Sequence, residues 1–151
     1  MIKIYTDGSS RGNPGPGGFG VVMILGAHRK EISKGFRLTT NNRMELLSVI
    51  EALESLKKDG LDIEIFSDSK YVVDAVEKKW VFKWHKTGFK DKKNPDLWKR
   101  FLLLYPKNNI KFKWIKGHNN HVENEHCDGL AVSAAMGKNL PPDEGYERSI
   151  L

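Results

Sequence analysis

Four carboxylates stand out by position: Asp7, Glu45, Asp68 and Asp128. Asp7 ends the apolar stretch MIKIYTD and Asp68 ends the alternating stretch LDIEIFSD, so each is expected at the C-terminal end of a strand. If those strands are parallel neighbours, both carboxylates reach one sheet edge, where open α/β sheets place their sites. Glu45 shares a helical row with Val49, Ala52 and Leu56, and a carboxylate on such an apolar row is costly to bury without compensation. Asp128 follows Cys127 on a last helix and flanks its buried face. Brought together, four such groups repel one another unless they hold hard cations, and Mg²⁺ accepts sparse carboxylate ligation with several waters retained. Two such ions about 3.5–4 Å apart are a recurrent arrangement for in-line phosphodiester cleavage. Each acid also has an ordinary alternative: Asp7 as a turn former before Gly8, Asp68 as a helix cap, and Glu45 as a first-turn residue favoured by the helix dipole. Glu51, Glu54, Asp59 and Asp62 fall where solvated charges belong.

The hydrophobic pattern supplies the elements that must carry these groups. Strands are expected at about 2–7, 18–26 and 29–37, with GAHRKE as a hairpin, and further strands over LDIEIFSD and IKFKWI. Leu46, Val49, Ile50 and Leu53 recur at helical spacing after a cap at Thr40 or Asn41. Helices are expected at about 69–77, 79–86 and 95–105, and a last one at 122–136 burying Cys127, Leu130, Ala131 and Ala134. The order βββαβα(αα)βα predicts an α/β protein with a five-stranded mixed sheet flanked by helices. GPGGFG, residues 15–20, matches the dinucleotide-loop pattern G-x-G-x-x-G letter for letter, but no strand runs directly into it and no helix follows. It reads instead as a Gly/Pro-rich turn between strands.

At 151 residues, with 39% hydrophobic and 29% charged residues, the chain has the size and composition of one globular domain. No apolar run approaches the roughly 20 residues of a membrane span. One cysteine excludes an internal disulfide framework, and with no export signal the expected compartment is the cytoplasm. The net charge of +6 suggests a polyanionic partner. The catalytic domain is expected over 1–137, followed by an irregular tail, 138–151.

YTDGSSRGNPGPGGFG, TTNNRMEL, FSDSKYV and WIKGHNNHVENEHCDGLA resemble, in order, the successive motifs of type 1 ribonuclease H. The resemblance runs from residue 3 to about 136. It implies the ribonuclease H fold and hydrolysis of the RNA strand of RNA–DNA hybrids, leaving 5′-phosphate and 3′-hydroxyl ends. It gives Asp7, Glu45, Asp68 and Asp128 the metal-ligand positions for two Mg²⁺ ions, with Mn²⁺ as a substitute, in an enzyme expected to be monomeric. It puts a mobile catalytic histidine at His118, where an imidazole can handle protons near neutral pH. Contacts to the 2′-hydroxyls fall to Asn13, Asn41 and Asn42, and a DNA-phosphate pocket to Thr40 and Asn94. Three positions depart from the family pattern. Lys70 stands where an amide is frequent, Leu38 where a basic residue is frequent (Arg37 is next to it), and Gly129 where Glu is usual. Two other readings are a non-catalytic hybrid- or double-stranded-RNA-binding module and a DNA nuclease of the same fold; binding alone does not need buried carboxylates.

Two clusters remain. His118, His121, His126 and Cys127 lie close in sequence, but their irregular spacing and the inward face expected for Cys127 argue against structural zinc. His121 and His126 are expected at the surface or as caps, and His28 in the hairpin. KKWVFKWHKTGFKDKK, residues 78–93, carries seven lysines, four aromatics and one acid. Interleaved Lys and Trp offer phosphate contacts and flat apolar surface. The stretch resembles a shortened form of the family's basic protrusion, with Trp80, Trp84, Lys86 and Lys90 as candidate contacts. Trp80 and Trp84 are equally candidates for anchoring it to the core.

Overall fold

The computed structural model describes residues 1–117 and 121–151. Five strands, β1 (Ile2–Ser10), β2 (Gly15–Leu25), β3 (His28–Thr39), β4 (Asp62–Ser67) and β5 (Asn109–Trp114), form one sheet in the order β3-β2-β1-β4-β5. The first three are antiparallel neighbours. β4 and β5 join β1 in parallel, reached through the helices α1 (Asn41–Glu54), α2 (Lys70–Glu77), α3 (Trp80–Lys86) and α4 (Pro95–Leu104). α5 (Val122–Ala135) and α6 (Glu144–Ser149) complete the chain. The expected mixed five-stranded sheet with flanking helices is the observed one.

Two glycines explain how helices approach both faces. Gly8 pairs with Phe19 across the β1–β2 ladder, and a Cβ there would run into the backbone of Met44 and Glu45 on α1. Gly20 pairs with the adjacent Asp7, and a Cβ there would meet the Cys127 carbonyl on α5. Successive strand residues face opposite sides, so α1 and α5 cover opposite faces. The α1 side holds the large core, with Ile4, Phe19, Leu46, Ile50, Ile65, Trp98 and Phe101 fully buried. The α5 side is thin, with Cys127, Ala131 and Ala135 lying directly on the sheet.

This geometry corrects several expectations. GPGGFG is not a turn: it opens β2, and its glycines give α5 and α1 room. Asp7 is not at the end of its strand, because the antiparallel ladder with β2 continues to Ser10↔Gly17. Only the parallel pairing with β4 ends early, at Tyr5↔Phe66. Leu130 and Ala134 are half-buried rather than buried, since α5 turns Asn124, Cys127, Ala131 and Ala135 to the sheet. The tail is not wholly irregular. Asp143 caps α6 by accepting from the Tyr146 N–H at 3.2 Å, and the helix docks on β3. It lacks an apolar repeat because ion pairs hold it instead.

Candidate active site

The parallel register brings the two strand acids together. Tyr5 lies opposite Phe66, so continuing the count two residues along each chain sets Asp7 level with Asp68. Asp68 does not cap α2; the Ser69 hydroxyl does, accepting from the Val72 N–H at 3.2 Å. Glu45 enters from α1, whose first turn is fixed by Thr40 accepting from the Arg43 N–H at 3.3 Å. Oxygens of Asp7, Glu45 and Asp68 all lie within 4.8 Å of one another. Asp128, from α5, lines the same cavity of about 410 Å³, together with Asn41, Asn42, Ser69, Lys70 and Tyr71. β1, the residue that follows β4, and two helices therefore converge their acids on one opening.

Asp7 and Glu45 are 6% and 4% exposed. Burial pushes the Asp7 carboxyl up to about 7; the hydrogen bond with Glu45 pulls it back, and the charges of Asp68 and Asp128 push it further up. Glu45 is raised well above the usual carboxylate range, first by burial and then by Asp7. The local donor is the Gly8 N–H, which donates to Asp7 Oδ1 at 2.9 Å and to Glu45 Oε1. One amide cannot balance two buried carboxylates beside two more. Hard oxygen donors in this number, mutually repelling and open to water, suit a divalent cation. Gly117 keeps the cavity edge clear, since a Cβ there would crowd Asp68 Oδ2 at 2.8 Å.

A groove of about 1050 Å³ adjoins this cavity, sharing Asn42 and Tyr71 with it. Thr40, Asn94 and Asn13 line it. The Asn41 N–H donates to Asn13 Oδ1 at 3.1 Å, tying the β1–β2 turn to the start of α1. Asn94 Nδ2 donates to the Tyr71 hydroxyl at 3.0 Å, and that hydroxyl also accepts from Trp98 Nε1 at 2.9 Å. Lys70 extends over the Trp114 ring, its Nζ 4.8 Å from the centroid, and Trp114 Nε1 donates to the Asp68 carbonyl at 3.1 Å.

The basic stretch separates into two kinds of residue. Trp84 is half-buried, edge-on to Trp98 at 6.0 Å, and anchors the segment. Trp80 is 41% exposed with Lys78 over its ring. Lys86 and Lys90 are exposed on this segment, and neither lines either cavity. Among the described residues of the histidine cluster, Cys127 Sγ donates to the Tyr5 carbonyl at 3.3 Å, whereas His126 turns outward to Glu31 at 2.8 Å. His121 takes the N-cap position of α5 without a side-chain cap bond, and His118 lies outside the described residues.

Sequence reasoning missed Arg43. It is 3% exposed and forms paired bonds to Asp143 (2.8 and 3.0 Å) and to Asp96 (2.9 and 2.8 Å). The Thr39 hydroxyl adds a bond to Asp143 at 2.7 Å. The signal was present, since Arg43 shares a row with Leu47 and Ile50, the same anomaly that singled out Glu45. Arg37 does not stand in for a basic residue at Leu38; both its bonds, 2.9 and 2.7 Å, go to Glu147 on α6.

The RNase H family model matches residues 1–136. A ribonuclease H from Desulforamulus reducens is 56% identical over 147 residues, covering 94% of this chain and 92% of that protein. One from Rippkaea orientalis is 50% identical, covering 97% and 92%. Among solved structures, LC9-RNase H1, a type 1 RNase H with the type 2 active-site motif, superposes with a TM-score of 0.79 at 34% identity, over 89% of this chain and 71% of that one. LC11-RNase H1, solved in complex with an RNA/DNA hybrid, superposes at 0.67 with 29% identity, over 89% and 96%.

Proposed function

The chain belongs to the RNase H family, and from that premise we propose that it hydrolyses the RNA strand of RNA–DNA hybrids by a two-metal-ion reaction. The observation that carries this reading is the convergence of Asp7, Glu45 and Asp68, with oxygens mutually within 4.8 Å, in a cavity that Asp128 also lines. Asp7, Glu45, Asp68 and Asp128 would hold two Mg²⁺ ions, with Mn²⁺ as a substitute. When bound, such ions neutralise charge on the phosphate and on the attacking and leaving oxygens.

The chain's own residues do the rest. The Gly8 N–H fixes the Asp7 and Glu45 carboxylates toward the opening. Asn41 and Asn42, on the cavity wall, present amides that both donate to and accept from a 2′-hydroxyl. Asn13, whose oxygen is committed to the Asn41 N–H, keeps its amide nitrogen as a donor. Lys70 supplies positive charge at the rim. Thr40 and Asn94 line the adjoining groove on the side of the second strand, with Trp80, Lys86 and Lys90 gripping the duplex farther out and Trp84 bracing them. Water's oxygen bonds to phosphorus as the P–O3′ bond breaks, leaving a 5′-phosphate and a 3′-hydroxyl, and His118 assists proton transfer. All four acids come from one chain, consistent with a monomer, and we place it in the cytoplasm, where a lone buried thiol such as Cys127 stays reduced. No described helix is long and apolar enough to cross a membrane.

Incubating labelled RNA–DNA hybrid, double-stranded DNA and double-stranded RNA of one sequence with the protein and Mg²⁺ tests this. Cleavage of the hybrid at least 100-fold faster than either homoduplex is expected. Preferential cutting of double-stranded DNA would overturn the substrate assignment, and binding of hybrid without cutting would overturn the enzyme reading.

A further inference from the structure

Beside the acid cavity, the groove has a wall that neither the acids nor the basic stretch provides. Its lining includes Thr40, Asn94, Lys92 and Lys93 and, from the C-terminal segment, Tyr146, Arg148 and Ser149. This segment is built into the fold. Asp143 is 6% exposed and bonded to Arg43 and Thr39, and Glu147 is clamped by Arg37. The clamps use up the charge of Arg37 and Arg43, and Arg148 lines both this groove and the neighbouring cleft beyond α6. Among the described residues its one ion pair is a loose surface contact to Glu144 at 3.8 Å, with both side chains more than 70% exposed. Asp96 is committed to Arg43, so the cations Lys92, Lys93 and Arg148 face a single further lining acid, Asp91. The groove therefore favours an anion, and it is continuous with the cavity through Asn42 and Tyr71.

We propose that Asp143–Ile150 is a nucleic-acid-contacting wall in which Arg148 binds a backbone phosphate of the strand that is not cut. This rests on the proposed hybrid cleavage. With the cut strand at the acids, a duplex presents its second backbone alongside, and this groove is the charge-complementary channel there. Arg37 and Arg43 are positioning residues, acting through Glu147 and Asp143.

The test uses steady-state cleavage of hybrid across a salt series for wild type, Arg148→Gln, Arg148→Lys and Lys57→Gln. Lys57 follows α1 at the end of that helix away from the acids, so its variant removes the same charge elsewhere. Loss of one phosphate contact should flatten the slope of log kcat/KM against log salt by about 0.9 and raise KM roughly three- to tenfold. kcat should stay within about twofold, because no bond at the acids changes. Arg148→Lys should restore most of the slope, and Lys57→Gln should leave it unchanged. Equal slopes for wild type and Arg148→Gln, or an equal loss in Lys57→Gln, would overturn the wall. Wild type that does not cut hybrid would instead refute the underlying function, so the two failures are distinguishable.

Discussion

Replacing Asp7 with Asn should stabilise the metal-free protein while abolishing cleavage. The native Asp7 carboxyl sits at about 7 against an ordinary value of 3.8, mainly through burial. A folded-state value above the unfolded one means that the native state holds its proton more tightly. Stability from this group is therefore full below about pH 4, falls as pH rises, and is gone above about pH 7. A displacement of about three pH units corresponds to ~4 kcal/mol as an upper bound. Glu45 and Asp68 share the same repulsion, so Asn, which keeps the shape and the acceptor for the Gly8 N–H, should recover about half, ~2 kcal/mol. For a chain of this length that is a Tm higher by about 4–8 °C at pH 8 in chelator, with the difference shrinking toward zero near pH 4. Mg²⁺ should raise the Tm of wild type more than that of the variant, because the proposed metal site needs the Asp7 carboxylate. Losing a ligand to cations that supply several kcal/mol of transition-state stabilisation slows cleavage by on the order of 10³-fold. Thermal melts by circular dichroism at pH 4, 6 and 8, with chelator or Mg²⁺, paired with hybrid cleavage, read all of this. A variant less stable than wild type at pH 8, a pH-independent difference, or substantial residual turnover would refute the reasoning.

Changing Lys86, Lys90, Lys92 and Lys93 together to Ala should raise KM, hold kcat within a few fold, and flatten the salt slope by roughly 2–3; an unchanged slope in a salt series would make the stretch a solvated face. His118→Ala should lower kcat by roughly 10- to 100-fold with KM little moved, the low end of general acid–base help, while His121→Ala should do almost nothing. Steady-state kinetics on both decides this, and equal damage would contradict it. Asp143→Asn leaves the buried Arg43 with Asp96 as its remaining described carboxylate, beside the Asn94 oxygen at 3.3 Å, and should destabilise by about 2–3 kcal/mol, measured by urea unfolding; a neutral result would mean that the C-terminal clamp is not holding.

Much of the site was readable in the sequence because its parts obey simple periodicities. Asp7 and Asp68 follow alternating apolar stretches, and parallel register then makes them level without any long-range knowledge. Glu45 betrayed itself by breaking an apolar helical row. GPGGFG reads as a turn although its glycines serve helix approach across a sheet, a tertiary demand that local turn chemistry imitates. The tail was misjudged because α6 is held by Asp143–Arg43 and Glu147–Arg37, pairs about 100 residues apart in sequence. Charge pairing over such a span leaves no period to read. Trp80 and Trp84 carry identical local signals, and only packing against Trp98 distinguishes the anchor from the exposed ring.

On the proposed function, the four acids direct divalent-cation chemistry at the RNA strand of a hybrid. The most direct measurement of this is a strand-specific digest, with RNA and DNA strands carrying different end labels in one duplex, incubated with Mg²⁺ or with excess chelator. Internal cuts in the RNA strand alone, with 3′-hydroxyl and 5′-phosphate ends, and none in chelator, are expected. Cuts in the DNA strand, or RNA cleavage undiminished by chelator, would contradict it.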